Sequence, residues 1–415
     1  MKILVSAYAC RPGMGSEPAV GWNWVVEYSK LCELVVLTNY TNEPYILDYL
    51  KEHKGELDTV RFVFVKPNAK VELWYKEWER MERPYYMLWQ KFALKIAQKL
   101  VKQEHFDYVQ HITYVSCVMP TYMYKLNIPF IYGPVSGGEG IPTVINYPFS
   151  LKERVIEQVR TATQKIAKLS GNFHSCCKSA KYIVAVTNET KEMVPQEYRS
   201  KVIVSQAIGL SDDVILKSVK VENSEKKKFL IAGRMLSWKG FKIGIEAFVE
   251  ALEQGLDAKL TVLATGNEAL KNELRSICGQ YADKQIEFID SVPYTEMQKF
   301  YDQHDVLINC SLRDSGCLVV MEAMGRGLPV ICIDTGGPKV NTDFGGAVKI
   351  RVSNYEKMKQ DITAAIKLLT EDSNMVKRLS EDSRRIAQSE FEYTAKIEGF
   401  YKKCILGNES EKSSL

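Results

Sequence analysis

Short apolar runs separated by helix-length stretches recur along the whole chain, and this alternation restricts the fold more than any other feature. In the first half the runs are KILVSAY (2–8), ELVVLTN (33–39), VRFVFVK (60–66), FDYVQHI (106–112), PFIYGPV (129–135) and YIVAVTN (182–188). In the second they are VIVSQAI (202–208), KFLIAGR (228–234), AKLTVLA (258–264), QIEFID (285–290), DVLINCS (305–311) and LPVICID (328–334). Strands this apolar are covered on both faces, and connections long enough for a crossover helix make them parallel. Each half is therefore expected to be a doubly wound α/β domain, Rossmann-like in plan.

A chain of 415 residues exceeds what one core serves, so two domains are expected, 1–200 and 201–390. A helix at 391–406 is expected to return towards the first domain, and 407–415 to be a disordered tail. The stretch KSVKVENSEKKK (217–228) reads as a solvated excursion within the second half. Strand, Gly-containing loop and helix recur at 2–30 and 228–252, an architectural echo rather than a short repeat. Parallel sheets bind ligands beyond the carboxyl ends of their strands, so a site is expected in a cleft between two facing domains.

Composition removes several classes. The net charge of +4 is too small to point to nucleic acid as a partner, although the first 200 residues are mildly basic, 25 basic against 20 acidic. The ten cysteines are scattered, with no C-x-x-C and no His pair at ligand spacing, which fits a reducing, cytoplasmic setting and no metal site. No segment offers the ~20 uninterrupted apolar residues of a membrane span. The opening run Ile3 to Ala9 is short for an export signal and reads as a buried first strand, so the mature protein is expected to start at Met1.

Three stretches carry chemistry. LIAGRMLSWKG (230–240) leaves a strand, turns at Gly233 and supplies Arg234 and Lys239, a fork and a point charge suited to a diphosphate; a solvated loop with incidental cations is the alternative. RDSGCLVVMEAMGRGLPV (313–330) frees its backbone at Ser315 and Gly316 before a helix from Cys317 to Met324, whose first amides form an anion site. Asp314 and Glu322 flank that point as acceptors for sugar hydroxyls, or else as an N-cap and a surface carboxylate. RPGMGSEPAVGWNW (11–24) has G-x-G, but Pro18 stands where a dinucleotide loop needs its third Gly, which argues against NAD. His111, at the end of the fourth strand, is either structural or part of the site.

In this order and at these separations, the three stretches resemble glycosyltransferase family 4, and QHITYVS (110–116), YGPVSGGE (132–139) and AVTNET (185–190) match too. The resemblance covers roughly residues 1–400. It implies the GT-B fold and a retaining, metal-independent transfer from a nucleotide-diphosphate sugar, UDP- or GDP-linked, with no other cofactor. The implied acceptor is a saccharide, often lipid-linked, in surface polysaccharide assembly. Carried over, Arg234 and Lys239 neutralise the donor diphosphate, and Glu322 holds the nucleotide ribose. Asp314 stands in place of the Glu that contacts the donor sugar. Gly316, Cys317 and Leu318 line the phosphate, with Cys317 supplying a backbone N–H. Gly15 and Ser16 reach donor and acceptor, and His111 lines the reacting sugar. Glu17 is placed with the acceptor, and Trp22 and Trp24 read either as platforms for acceptor sugar rings or as core packing, the latter for at least one of them.

Two other classes stay open: a sugar-nucleotide epimerase of similar fold, and a non-catalytic partner of another transferase. YYMLWQKFALKIAQKL (85–100) sets an apolar stripe (Leu88, Phe92, Ile96, Leu100) beside a basic one (Lys91, Lys95, Lys99). It reads either as peripheral contact with the inner face of a membrane or as a helix packed on the sheet with its lysines in water.

Overall fold

The computed structural model describes residues 1–77, 82–216, 226–266, 268–290 and 292–407. Residues 217–225 of the charged excursion and 408–415 of the tail lie outside them. The chain groups into two compact units. One comprises Met1–Gly138, Arg160–Ala207 and the chain from Ile397; the other comprises Glu139–Val159 and Ile208–Lys396.

The first unit is a seven-stranded sheet of β1 (Lys2–Ala7), β2 (Glu33–Asn39), β3 (Val60–Val65), β4 (Tyr108–Thr113), β5 (Phe130–Val135), β6 (Ala180–Ala185) and β7 (Val202–Val204). Their order is β3-β2-β1-β4-β5-β6-β7 and every pairing is parallel. The strand order reverses at β1 and β4, so their carboxyl ends splay and leave room for a ligand. His111 lies on β4, and the Gly13–Ser16 loop follows β1.

The second unit has β8 (Lys227–Met235), β9 (Ala258–Gly266), β10 (Ile286–Ile289), β11 (Val306–Asn309), β12 (Val330–Ile333) and β13 (Ala347–Ile350), ordered β10-β9-β8-β11-β12-β13, again all parallel. Side chains alternate between two cores as the strand period of two requires. Phe229, Ile231, Val306, Ile308, Ile331 and Ile333 enter one core, and Leu230, Ala232, Leu307, Val330 and Cys332 the other. Here the order reverses at β8 and β11; Arg234 lies near the carboxyl end of β8, and the loops after the two strands carry Lys239 and Asp314. The two Rossmann-like units have the architecture of the GT-B fold.

Three parts of the sequence reading need correction. The run 202–208 pairs with β6 and closes the edge of the first sheet instead of opening the second. Ala347–Ile350 adds a strand that the apolar pattern did not reveal. A single cut at 200 does not divide the chain. Ile145 and Tyr147 are buried in the core of the second unit, with the Tyr147 ring 5.5 Å from that of Tyr355. Burying two such side chains contributes ~3–5 kcal/mol, which keeps Glu139–Val159 with that unit. From Ile397 the chain groups with the first unit, the side towards which the helix at 391–406 was expected to return, and Phe400 packs edge-on against Trp24 at 5.4 Å.

Of the two readings of the helix Glu82–Gln103, the structure shows the one packed on the sheet. It buries Tyr85, Tyr86, Trp89, Ala93 and Ala97, and the Trp89 indole donates to the Val65 carbonyl at 3.1 Å. Phe92, Ile96 and Leu100 pack against the same core while Lys91, Lys95 and Lys99 are exposed. The apolar stripe that a membrane would need is spent on the sheet.

Candidate active site

In the second unit, Gly233 with φ +146° and then Arg234 stand in the last residues of β8, which ends on Met235, and a short turn leads to Lys239 and Gly240. Gly240 has φ +67°, and a Cβ there would lie 1.9 Å from the Cys310 carbonyl oxygen. This glycine lets the turn press against the end of β11, which brings Lys239 to Asp314. The Lys239 ammonium donates to Asp314 Oδ2, and the Cys317 amide donates to Oδ1 at 3.2 Å. Burial opposes the charge on Lys239, but Cys317 and Asp314 beside it outweigh that and hold its pKa above the usual lysine value. Arg234 is exposed, with no salt bridge among the described residues, and its charge acts on Lys239. Two neighbouring cations with one carboxylate between them leave an excess positive charge where an anion would sit.

Cys317 adopts φ +49° and precedes the helix Leu318–Gly325. Its amide is the one that donates to Asp314 Oδ1. The thiol is buried and its pKa is pushed up by that burial. The positive end of the helix is left to Leu318 and the residues after it.

A segment that the sequence did not single out holds this loop in place. The Gly337 amide donates to the Asp314 carbonyl at 2.8 Å, and Asn341 Nδ2 donates to the Gly316 carbonyl at 3.0 Å. Cβ atoms on Gly336 and Gly337 would lie 2.4 Å from the Asp314 and 2.5 Å from the Ser315 carbonyl oxygen, so the paired glycines permit the approach. The available signal was the Gly-Gly pair after β12.

Glu322 is 5% exposed, and its two oxygens accept from the hydroxyls of Tyr294 at 2.8 Å and Tyr301 at 2.7 Å. Burial raises its pKa, and the two tyrosine donors partly offset this. Neither tyrosine stood out in the sequence, since their relation to Glu322 arises only when the chain before β11 folds over the helix Leu318–Gly325.

In the first unit, Gly13 has φ +69°, Gly15 has open space around its α-carbon, and Ser16 has φ +62° despite carrying a side chain. A non-glycine held there stores backbone strain, which recurs at ligand-gripping loops. Glu17 opens the helix Glu17–Ser29 and accepts from the Val115 amide at 3.2 Å. Burial is the main reason its carboxyl rises from 4.5 to about 7; the Val115 amide works against this and Glu82 adds to it.

His111 does not project into open space. Its ring is fully buried on β4, with Nε2 3.0 Å from the Tyr114 carbonyl. A carbonyl accepts only, so Nε2 carries the proton and Nδ1, buried with no hydrogen-bond partner among the described residues, holds the lone pair. Burial lowers its pKa from 6.5 to about 4. The ring is neutral at pH 7. Trp22 is 6% exposed and packs edge-on against Tyr49 at 4.8 Å and parallel to Phe62 at 6.2 Å, which accounts for it as core rather than as an acceptor platform.

The structure thus gathers Arg234, Lys239, Asp314 and Cys317 in one unit, with Glu322 in the helix that follows. In the other it sets His111 and Glu17 on the adjacent backbone groups of Tyr114 and Val115.

Residues 214–386 match the family model described as Glycosyl transferases group 1. An uncharacterized glycosyltransferase of Methanocaldococcus jannaschii is 24% identical over 233 residues, 54% of this chain and 58% of that protein. A D-inositol 3-phosphate glycosyltransferase of Corynebacterium efficiens is 32% identical over 116 residues, 27% of each chain. The chain therefore spans little more than half the length of the curated relatives it matches, or less. Among solved structures, a glycosyltransferase from Rickettsia africae aligns over 98% of this chain and 99% of its own at 15% identity, TM-score 0.60. Anabaena HepE, solved with UDP and glucose, aligns over 100% of both chains at 14% identity, TM-score 0.57. These likenesses establish the fold.

Proposed function

We propose that this chain is a retaining glycosyltransferase that moves a sugar from a nucleoside-diphosphate donor, UDP- or GDP-linked, to a saccharide acceptor. The observation that carries the reading is the meeting of Lys239 with Asp314 at the strand-order reversal of the second unit, with the uncompensated Arg234 guanidinium alongside. The match of residues 214–386 to group 1 glycosyl transferases supports it.

Arg234 and Lys239 take the diphosphate, with the helix dipole of Leu318–Gly325 adding to them, so no metal ion is needed to meet the leaving charge. On donor binding Lys239 exchanges part of its contact with Asp314 for phosphate, and Asp314 turns to a donor-sugar hydroxyl. Glu322, fixed by its two tyrosines, accepts from the ribose. The bond from the anomeric carbon to the diphosphate oxygen breaks while a bond to the acceptor oxygen forms on the same face. The departing phosphate oxygen takes the acceptor hydroxyl proton. His111, buried and neutral, holds the Tyr114 carbonyl next to the Val115 amide that Glu17 accepts from, and adds no charge. The Gly15–Ser16 loop and Glu17 serve the acceptor side, and a lipid-linked saccharide in surface polysaccharide assembly is the acceptor we favour.

Incubation with UDP- and GDP-sugars and an oligosaccharide set tests this. Release of the nucleoside diphosphate is expected, with a product of the donor's anomeric configuration by NMR; an inverted product overturns retention.

A further inference from the structure

Both carboxylate oxygens of Glu322 are taken in the free protein, but the two phenols that take them are held very differently. Tyr301, on Oε2 at 2.7 Å, lies in the helix Met297–Gln303, is 1% exposed and belongs to the same core as Val320 and Met324. Tyr294, on Oε1 at 2.8 Å, stands in the short turn Tyr294–Glu296 and is 65% exposed. Val292, Met297 and Phe300 around it pack against the core. The Tyr294 ring therefore gives up little buried surface if it leaves, and the bond from its hydroxyl is its main hold. Burial, and then the Glu322 charge beside it, keep its pKa above the usual tyrosine value, so the phenol stays a donor.

Glu322 itself is 5% exposed. Leu318, one turn earlier on the same face of the helix, is 37% exposed. This face is open at the helix start and closed at Glu322, where the exposed Tyr294 bonds the carboxylate. Of the two phenols, Tyr294 is the one that a ligand coming from solvent meets.

We propose that the Tyr294 hydroxyl holds the place of a ligand hydroxyl on Glu322 and exchanges with it: a ribose with free 2′- and 3′-hydroxyls displaces the phenol from Oε1, while Tyr301 stays on Oε2. The exchange rests on the proposed donor site. One hydroxyl donor replaces another, so the buried carboxylate is never left without its partner. The phenol lowers the apparent affinity by the share of molecules in which it is closed, and its return helps the spent nucleoside diphosphate to leave. Tyr294 acts through Glu322 and does not touch the reacting bond.

Binding of UDP, GDP and their 2′,3′-dideoxy forms to the full chain, as wild type and as Tyr294→Phe, tests the exchange. The substitution removes the internal competitor and keeps the ring. Whichever diphosphate the wild type binds is therefore expected to bind the variant at least about fivefold tighter. Its dideoxy form has no hydroxyl to exchange and is expected to bind both proteins alike. Unchanged or weaker binding of the ribose form by the variant overturns the proposal, because Tyr294 then supports Glu322 in the bound state. An equal gain for the dideoxy form overturns it too, since the phenol then obstructs the sugar without exchanging. If neither protein binds UDP or GDP, the donor site fails and the exchange with it; binding by both with no gain for the variant strikes the exchange alone.

Discussion

Glu17 and His111 are buried groups whose titrations oppose one another. Glu17 binds its proton more tightly folded than unfolded, so stability falls as pH rises from 4.5 to about 7. His111 resists protonation when folded, so stability falls as pH drops from 6.5 to about 4. Across the shared window, 4.5 to 6.5, the two slopes have opposite sign and partly cancel. Glu17→Gln removes one of them. Chemical denaturation of that variant should show stability dropping more steeply on acidification through this window than in the wild type; parallel curves would contradict the assigned burial. The sequence marked both residues as site candidates, but not their protonation, because that depends on how completely neighbouring elements exclude water. Trp22 fails as an acceptor platform for the same reason: its neighbours Tyr49 and Phe62 are distant in sequence.

At the scale of elements, the long apolar strands were readable because a parallel strand covered on both faces cannot hide its composition. β13 escaped notice because Ala347–Ile350 has four residues, one of them a lysine. The run at 202–208 was visible as a strand but not assignable, since apolarity does not say which sheet accepts an edge. The helix Glu82–Gln103 shows the same limit, as its pattern suits lipid and sheet alike. Turn glycines carry more specific demands. Gly240→Ala would place a Cβ 1.9 Å from the Cys310 carbonyl oxygen at φ +67°, and ~3 kcal/mol or more of destabilisation is expected. A thermal melt should show a clear drop in Tm. An unchanged Tm would mean that the turn does not pack on β11 as described.

For the whole molecule, the motif order gave the class of site, while the supports around it depended on tertiary structure. Tyr294 and Tyr301 reach Glu322, and Gly336, Gly337 and Asn341 reach the Asp314 loop, only once the second sheet is assembled. The division of the chain was equally hidden, because Glu139–Val159 joins the second unit through side chains that read as ordinary loop residues. What the sequence did convey is that Arg234 and Lys239 stand together where a strand gives way to a loop, and the diphosphate site rests on this. Calorimetric titration of the wild type, Arg234→Ala and Lys239→Ala with UDP and GDP tests it most directly. One of the two diphosphates should bind the wild type, with each substitution weakening it by about 2 kcal/mol or more, roughly thirtyfold. Equal affinity in all three proteins would contradict a diphosphate site at Arg234 and Lys239.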